Sequence, residues 1–255
     1  MDIMEIYFLI VSGLFGLAVG SFLNVCIYRI PKKIFFSEKH SYCPKCLQQL
    51  KWYDMFPVIS WVILGGKCRF CKQKISVRYP IVESINCIMW VLSAYYFGIS
   101  INAFIFDLLF SALLVMTFID LDTKEIPNGI VLLIMALGVV LFFTQPEIIW
   151  WHRLVGAVVV SVPLYIIALV TSGGIGGGDI KLFFALGIVL GFKLTLVAFG
   201  FAIILGGLVG AILLISKVAK KGFELPLGPF IALGAVTSVF FGNNLIGMYM
   251  RLFGL

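Results

Sequence analysis

Runs of about 20 apolar residues follow one another along most of this chain and restrict its fold more than any other feature. A run of that length crosses a bilayer as one helix. Charged residues make up only 12% of the 255 residues, whereas soluble domains carry about twice that fraction. Because lipid offers no hydrogen-bonding partner, the backbone must pair within each segment, and runs this long favour helices over a barrel. We therefore expect an all-α polytopic membrane protein with about eight transmembrane helices, at about 4–27, 81–98, 100–119, 128–144, 153–172, 180–191, 194–215 and 227–242.

Lysine and arginine are concentrated on one side of this topology. Sixteen of the 19 lie in the segments 29–80, 120–127, 173–181 and 216–226, against three on the other side: Arg153, Lys193 and Arg251. The positive-inside rule then predicts that the first set of segments is cytoplasmic and that both termini are outside. Anionic lipid headgroups and simple solvation are the alternatives for the basic side chains of the 29–80 loop. With the net charge of +7 placed in this way, we expect no nucleic-acid partner.

Three acidic residues, Asp120, Asp122 and Glu125, gather where the third apolar run ends. A solvated connection between helices, with Asn128 capping the next helix, is one interpretation of this segment. If the helix continues through it, Asp120 and Asp122 project on nearly opposite sides, because two residues turn a helix by about 200°. Asp120 lies nearer the apolar run and is the better candidate for a buried carboxylate.

A glycine-rich segment, 173–178, precedes Asp179 at the start of the sixth apolar run. Glycine carries no side chain and lets another segment approach the backbone closely. Asp179 could cap the helix that follows, but a carboxylate at the edge of a membrane is costly and favours a functional reason. Two complete crossings separate Asp120 from Asp179. The topology therefore predicts both carboxylates at the face that also carries the 29–80 loop.

A pair of carboxylates at one face has a known chemistry. Two carboxylates brought together cannot both ionise cheaply, so one keeps a proton while the other is charged. In an aspartic protease the charged member takes a proton from water and the neutral member polarises the scissile carbonyl. A transporter that moves protons or cations on these acids is the alternative from another class, but its acids would be expected nearer mid-bilayer.

Four of the six cysteines form two Cys-x-x-Cys pairs in the 29–80 loop: Cys43, Cys46, Cys68 and Cys71. Two chelating pairs of thiolates suit tetrahedral zinc in a closed, structural site. Disulfide formation or redox use is the alternative, and the reducing cytoplasm argues against it. We expect a zinc-ribbon-like loop that holds its shape through the metal.

These segments together resemble the type IV prepilin peptidases, which are membrane aspartic proteases of the Gly-x-Gly-Asp type. The resemblance covers nearly the whole chain, with six matching segments in order: 16–31, the two cysteine pairs, 78–83, 120–128, 176–181 and 225–230. Any one of these segments is a weak signal, whereas the ordered set is specific. A related intramembrane aspartic protease with another substrate is the remaining alternative within the class.

The resemblance implies that Asp120 and Asp179 are the catalytic pair. It also implies supporting roles for Asp122, Gly176, Gly177, Gly178 and Lys181. Such enzymes sit in the bacterial inner membrane and cut the short basic leader from prepilins or pseudopilins, after a glycine, at the cytoplasmic face.

Many members of the family also methylate the new N-terminus with S-adenosylmethionine. No Gly-x-Gly-x-x-Gly motif occurs here, so the sequence assigns no methyl-transfer residues. Glu83 is a candidate, with an ordinary helix-end acid as the alternative. We expect 1–98 to contain the first two spans and the methyltransferase part, and 99–255 to form the peptidase domain.

Overall fold

The computed structural model describes residues 3–35, 40–43, 45–146, 148–171, 174–217 and 225–254. Over these ranges the fold is helical, with two isolated β-bridges and no strand. Pro44 of the first cysteine pair, Gly173 of the glycine-rich segment and 218–224 of the last basic segment lie outside the described residues. The helices are α1 (Ile3–Lys32), α2 (Ile59–Ile63), α3 (Arg78–Phe97), α4 (Ile101–Thr123), α5 (Asn128–Thr144), α6 (Trp150–Val170), α7 (Gly177–Ile215) and α8 (Gly228–Leu252).

The predicted all-α membrane architecture is confirmed. Among the described helices, α1, α4, α6, α7 and α8 are long and apolar enough to cross a membrane, and α5 is a shorter apolar helix. The first predicted run corresponds to α1 and the 81–98 run to α3. The sixth and seventh runs both lie in α7, whose backbone breaks at Gly191 with φ 71° and ψ 174°. Because α7 begins at Gly177, the glycine-rich segment lengthens the short sixth run.

The chain divides into two compact units, Met1–Val115 and Met116–Leu255. In the first unit, α1 packs against α3 through glycines four residues apart. A Cβ on Gly16 would lie 2.9 Å from the Cα of Cys87, and one on Gly20 would lie 2.8 Å from the Cα of Glu83. Small residues with this spacing allow two membrane helices to approach backbone to backbone. Asn86 strengthens the contact, since its side-chain amide donates to the carbonyl of Gly16 at 2.8 Å.

In the second unit, α6 packs on the broken helix α7. Gly156 and Gly187 meet so closely that a Cβ on Gly187 would overlap the backbone of Gly156. The break at Gly191 removes the normal helical donors for carbonyls of the preceding turn. Arg153 of α6 takes their place and donates to the carbonyl oxygens of Ile188 at 3.0 Å and Val189 at 2.8 Å.

Arg153 thus has a different position from the one expected. The sequence placed it among the outer loop cations, but it lies inside α6 with 2% of its surface exposed. A second nitrogen of its guanidinium donates to the carbonyl of Leu141 at 3.1 Å and to Oε1 of Gln145 at 3.2 Å. The two terminal nitrogens of the guanidinium therefore make four hydrogen bonds to acceptors of the protein, which compensate for the loss of water around the charge.

Candidate active site and metal centre

Asp120 lies near the end of α4, in the last turns before the helix stops at Thr123. Only 4% of its surface is exposed, whereas Asp122 is exposed. The helix continues through both residues, so they point in different directions, as its rotation of about 100° per residue requires. The burial of Asp120 matches its position next to the apolar run.

The carboxylate of Asp120 has a backbone partner from the far end of the chain. The N–H of Gly228 donates to its Oδ2 at 2.8 Å. Gly228 is the first residue of α8, so the positive end of that helix dipole also faces the carboxylate. This arrangement stabilises the anionic form of Asp120 within an otherwise apolar environment.

The sequence alone assigned no chemistry to Gly228. It belongs to the late segment 225–230, and its missing side chain is what admits the carboxylate. A Cβ at this position would lie 2.7 Å from Oδ2 of Asp120 and 2.8 Å from the sulfur of Met116. The Gly-Pro pair at the helix start was the available signal, because proline is favoured in the first turn of a helix.

Asp179 lies in the first turn of α7, half-buried, and is not the residue that caps this helix. The N-cap position belongs to Gly176, whose carbonyl accepts the backbone N–H of Asp179 at 3.1 Å. The capping interpretation of Asp179 is therefore wrong, although the acid keeps the favourable position at a helix N-terminus. The carboxylates of Asp120 and Asp179 are close enough to repel each other electrostatically.

The glycine-rich segment makes its closest approach at Gly178. A Cβ there would lie 3.0 Å from the Cβ of Ile126, in the connection between α4 and α5. At Gly176 a Cβ would lie 2.9 Å from Oδ2 of Asp179, while at Gly177 nothing lies within 4 Å. The predicted close approach of another segment is thus found at Gly178, whereas the neighbour of Gly176 belongs to the same helical turn and Gly177 faces open space.

A polar contact joins the start of α7 to the start of α5. Nζ of Lys181 donates to Oδ1 of Asn128 at 3.3 Å. Asn128 is the first residue of α5, and the N-cap is Pro127, with no side-chain cap. The expectation that Asn128 caps this helix is wrong, because its side chain is engaged by the lysine of the other segment. This contact and the one at Gly178 hold the Asp179 turn against the segment that follows Asp120.

The two aspartates interact electrostatically, which is one requirement of shared protonation. Mutual repulsion disfavours two charges, and the Gly228 N–H favours a charge on Asp120. A pair in that state can offer one basic oxygen and one acidic proton to the same small molecule. General acid–base chemistry on a water and a carbonyl group is what such a pair can perform.

The four cysteines of the first unit come together into one cluster. The sulfur atoms of Cys43, Cys46, Cys68 and Cys71 all lie within 4.8 Å of one another, and none is in a disulfide. The sulfurs of Cys43 and Cys71 are 3.9 Å apart. A tetrahedral zinc site with Zn–S distances of about 2.3 Å has sulfurs about 3.8 Å apart. The cluster could therefore bind a metal ion, and its donor set fits zinc.

Two matching turns build the cluster. In each turn the N–H of the first cysteine donates to the carbonyl five residues later, from Cys43 to Gln48 at 3.0 Å and from Cys68 to Gln73 at 2.8 Å. In each, the residue four positions after the cysteine has a positive φ, 57° at Leu47 and 58° at Lys72. The repeated geometry presents two sulfurs from each turn towards the same point.

The electrostatics of the cluster favour a first negative charge on Cys43. Burial raises the pKa of its thiol, but backbone hydrogen bonds from Cys46 and Lys45 outweigh burial and lower the pKa to about 7. For Cys71, a backbone hydrogen bond from Gln73 lowers the pKa, while burial and the neighbouring cysteine sulfurs raise it to about 11. Negative charges on four sulfur atoms this close repel one another, and a bound divalent cation would compensate for that repulsion.

Comparison with known proteins places these features in one family. The model described as "Bacterial Peptidase A24 N-terminal domain" matches residues 14–97, and the model described as "Type IV leader peptidase family" matches residues 108–211. No solved structure matches the chain.

Several relatives carry the name "Prepilin leader peptidase/N-methyltransferase". One from Bacillus subtilis (strain 168) is 33% identical over 94% of this chain and 96% of its own length. One from Xanthomonas campestris pv. campestris is 32% identical over 94% of this chain and 93% of its own length. One from Pseudomonas putida is 31% identical over 97% of this chain and 96% of its own length.

Fold and site define an all-helical, multi-pass membrane protein with a pair of interacting carboxylates and a four-cysteine cluster. The chain belongs to the type IV leader peptidase family.

Proposed function

We propose that this protein is a prepilin leader peptidase and N-methyltransferase of the bacterial inner membrane. The peptidase cuts the leader of a prepilin or pseudopilin after a glycine, at the cytoplasmic face. The observation that carries the proposal is the interacting pair of Asp120, which faces the N-terminus of α8, and Asp179, which lies in the first turn of α7. The names of the relatives and the family support the substrate class.

In this proposal, Asp120 is the base. Its anion is stabilised by the N–H of Gly228, so Asp179 holds the shared proton in the resting enzyme. Asp120 takes a proton from the attacking water, and Asp179 donates its hydrogen bond to the scissile carbonyl. Lys181 and the motif glycines position the Asp179 turn. Asp122 faces outward, and its role is limited to the exposed surface of the site.

The four cysteines, in this proposal, hold a structural zinc ion. Two turns of matching geometry converge on one point with sulfur spacings that suit a tetrahedron. The ion would fix the two turns relative to each other and would take no part in peptide cleavage.

Methylation is assigned to the N-terminal part, 1–98, and peptide cleavage to 99–255. The methyl donor is S-adenosylmethionine, which supplies an electrophilic methyl group on a sulfonium. The partners are the prepilin and the surrounding lipid, and no nucleic acid. Neither matching family model is described as a transporter, which argues against that competing interpretation.

A single experiment tests both activities. The purified protein in detergent is incubated with a prepilin, with and without S-adenosylmethionine, and the products are weighed by mass spectrometry. Loss of the leader mass in both samples supports the peptidase. A further gain of one methylene mass only with the donor supports the methyltransferase. An intact prepilin in both samples would refute the peptidase assignment.

A further inference from the structure

A cavity of about 560 Å³ lies within the first unit, bounded by α1, the cysteine loop and the start of α3. Its volume is in the range of cofactor sites, roughly 300–1,000 Å³. Its wall combines aromatic side chains with two acids: Phe22, Tyr28, Phe56, Trp61, Tyr79, Asp54 and Glu83. A concave, largely aromatic wall with a few polar groups is typical of a ligand site.

Of the two acids, Asp54 is paired with Arg69, whose guanidinium nitrogen lies 2.7 Å from Oδ1 of Asp54, so Glu83 is the candidate base of this cavity. Only 6% of its surface is exposed, and its Oε2 accepts the backbone N–H of Val58 at 2.7 Å. Val58 adopts φ 58°, a conformation that is unfavourable for a β-branched residue. Strain of this kind persists where the surroundings impose it, often at functional sites. The side chain of Ser21 on α1 is a second hydrogen-bonding partner of Glu83.

An ordinary helix-end acid does not account for these features. Such a residue would extend into water, whereas two separate segments, α1 and the loop at Val58, converge on Glu83. The α1 helix contributes Ser21 and also Gly20, whose absent side chain allows the helix to touch the Cα of Glu83. The loop contributes the strained N–H of Val58. Burial of a carboxylate is costly unless it is compensated, and here the compensation leaves the carboxylate at the cavity wall.

We propose that this cavity is the methyl-transfer site, with Glu83 as the group that receives the proton of the substrate amine. This inference rests on the proposed methyltransferase activity and assigns that activity to the cavity of the first unit. The aromatic side chains suit both parts of S-adenosylmethionine, since adenine stacks on them and a sulfonium cation is attracted to a ring face. Lys45 and Lys74 also line the cavity and suit the carboxylate of its amino-acid part.

The reaction balances with these groups alone. The amine must lose its proton first, because an ammonium has no lone pair, and the Glu83 carboxylate accepts that proton. The nitrogen lone pair then forms a bond to the methyl carbon, and the carbon–sulfur bond breaks with its electron pair remaining on sulfur. The products are the positively charged N-methylammonium, the neutral thioether S-adenosylhomocysteine and a protonated Glu83, which returns its proton to water.

The first test compares Glu83→Gln with wild type. Glutamine keeps an acceptor oxygen for the Val58 N–H but cannot accept the amine proton at neutral pH. We expect leader cleavage to persist and the methylation kcat to fall at least about 100-fold, within the usual range for a lost general base. Glu5→Gln, which removes a carboxylate near the other end of α1, is the control and should methylate as wild type does.

The second test measures binding without turnover. Titration calorimetry with S-adenosylhomocysteine should show one site in wild type and in Glu83→Gln, and at least tenfold weaker binding in Trp61→Ala. Ultraviolet cross-linking of S-adenosylmethionine labelled in its methyl group should mark peptides that contain Phe22, Trp61 or Tyr79. If the label is found only in peptides of 116–255, the cavity is not the binding site of the methyl donor.

The outcomes separate this inference from the proposed activity. If wild type neither binds S-adenosylhomocysteine nor yields methylated product, the proposed methyltransferase activity is wrong. If wild type methylates and Glu83→Gln methylates at the same rate, the activity stands and the role of Glu83 is wrong. Unchanged binding in Trp61→Ala, with the protein folded, would place the donor elsewhere.

Discussion

The backbone N–H of Gly228 donates a 2.8 Å hydrogen bond to Oδ2 of Asp120, a residue 108 positions earlier in the sequence. A Cβ on Gly228 would occupy the position that this carboxylate oxygen needs. Gly228→Ala should therefore displace the carboxylate and weaken or abolish the bond. A hydrogen bond to a charged group contributes about 1.5–3 kcal/mol, so we expect kcat for leader cleavage to fall roughly 10- to 100-fold.

Gly247→Ala is the matched control for that change. Gly247 lies in the same helix, α8, and a Cβ there would meet nothing within 4 Å. Cleavage rates measured on both purified variants, alongside their thermal unfolding in detergent, separate a lost contact from a lost fold. Equal rates for the two variants would show that Asp120 does not depend on this N–H.

Replacement of either proposed catalytic acid should abolish cleavage. Asp120→Asn and Asp179→Asn remove the basic and the acidic partner, and each should reduce cleavage by at least about 10³-fold, since neither partner can replace the other. Asp122→Asn should reduce the cleavage rate far less, because Asp122 is exposed on another side of α4. The measurement is cleavage of a prepilin by mass spectrometry, after confirming that each variant is inserted in the membrane.

The same aspartate variants should retain methylation of a precleaved substrate. A synthetic peptide with the free N-terminus of the mature pilin bypasses the peptidase, so its methylation reports on the other activity alone. If both aspartate variants methylate this peptide as wild type does, the two activities have separate residues. Loss of both activities together, with the fold intact, would contradict the division into 1–98 and 99–255.

Adjacent glycines of the motif should differ in their tolerance to a side chain. Gly178→Ala brings a Cβ to 3.0 Å from the Cβ of Ile126, which is not at the flexible end of that side chain. Gly177→Ala enters open space. We expect Gly178→Ala to reduce cleavage at least about tenfold more than Gly177→Ala, because only the former displaces the Asp179 turn by a few tenths of an ångström.

Relief of the contact provides a further test of the Gly178 prediction. In the double variant Gly178→Ala with Ile126→Ala, the contacted side chain is shortened and part of the lost cleavage should return. If the double variant reduces the cleavage rate by the product of the two factors measured for the single variants, the Ile126 contact is not the cause.

The cysteine cluster should bind one zinc ion per chain. Elemental analysis of the purified protein should give a zinc-to-protein ratio near one, and Cys68→Ser should lower it strongly because it removes one of four ligands. Cys87→Ser is the control, since Cys87 lies in α3 and outside the cluster. Because Cys43 and Cys68 also line the cavity of the first unit, zinc removal should reduce methylation while cleavage continues.

The sequence predicted the parts of this structure that depend on local pattern. Apolar run length identified the helices, helical rotation placed Asp120 and Asp122 on different sides, and closeness to the apolar run favoured Asp120 as the buried acid. The spacing of Cys43 and Cys46, repeated in the second pair, predicted a shared metal site. These features can be predicted without knowing which distant segments of the chain come into contact.

Contacts between distant segments could not be predicted in the same way. Whether Asn128 caps α5 or receives Lys181 depends on a helix that begins 49 residues later, at Gly177. The role of Gly228 depends on Asp120, and local sequence at 225–230 indicates only a helix start. Arg153 was counted with the loop cations because a single arginine at a helix start normally faces water. Its acceptors come from the break at Gly191 and from the end of α5, which local sequence does not reveal.

Removal of Arg153 should destabilise the second unit without removing any part of the proposed catalytic site. Arg153→Met keeps a long side chain but leaves the carbonyls of Ile188 and Val189 without this donor, whereas the carbonyl of Leu141 still accepts the N–H of Gln145. An unsatisfied buried acceptor costs about 1–3 kcal/mol, so the total loss should be on the order of 3–5 kcal/mol. Lys193→Met is the control, because it removes one positive charge close to the same break but at an exposed position. Thermal unfolding in detergent should show a clearly lower Tm for Arg153→Met and a wild-type value for Lys193→Met. A wild-type Tm for Arg153→Met would mean that the broken helix satisfies its carbonyls by another route.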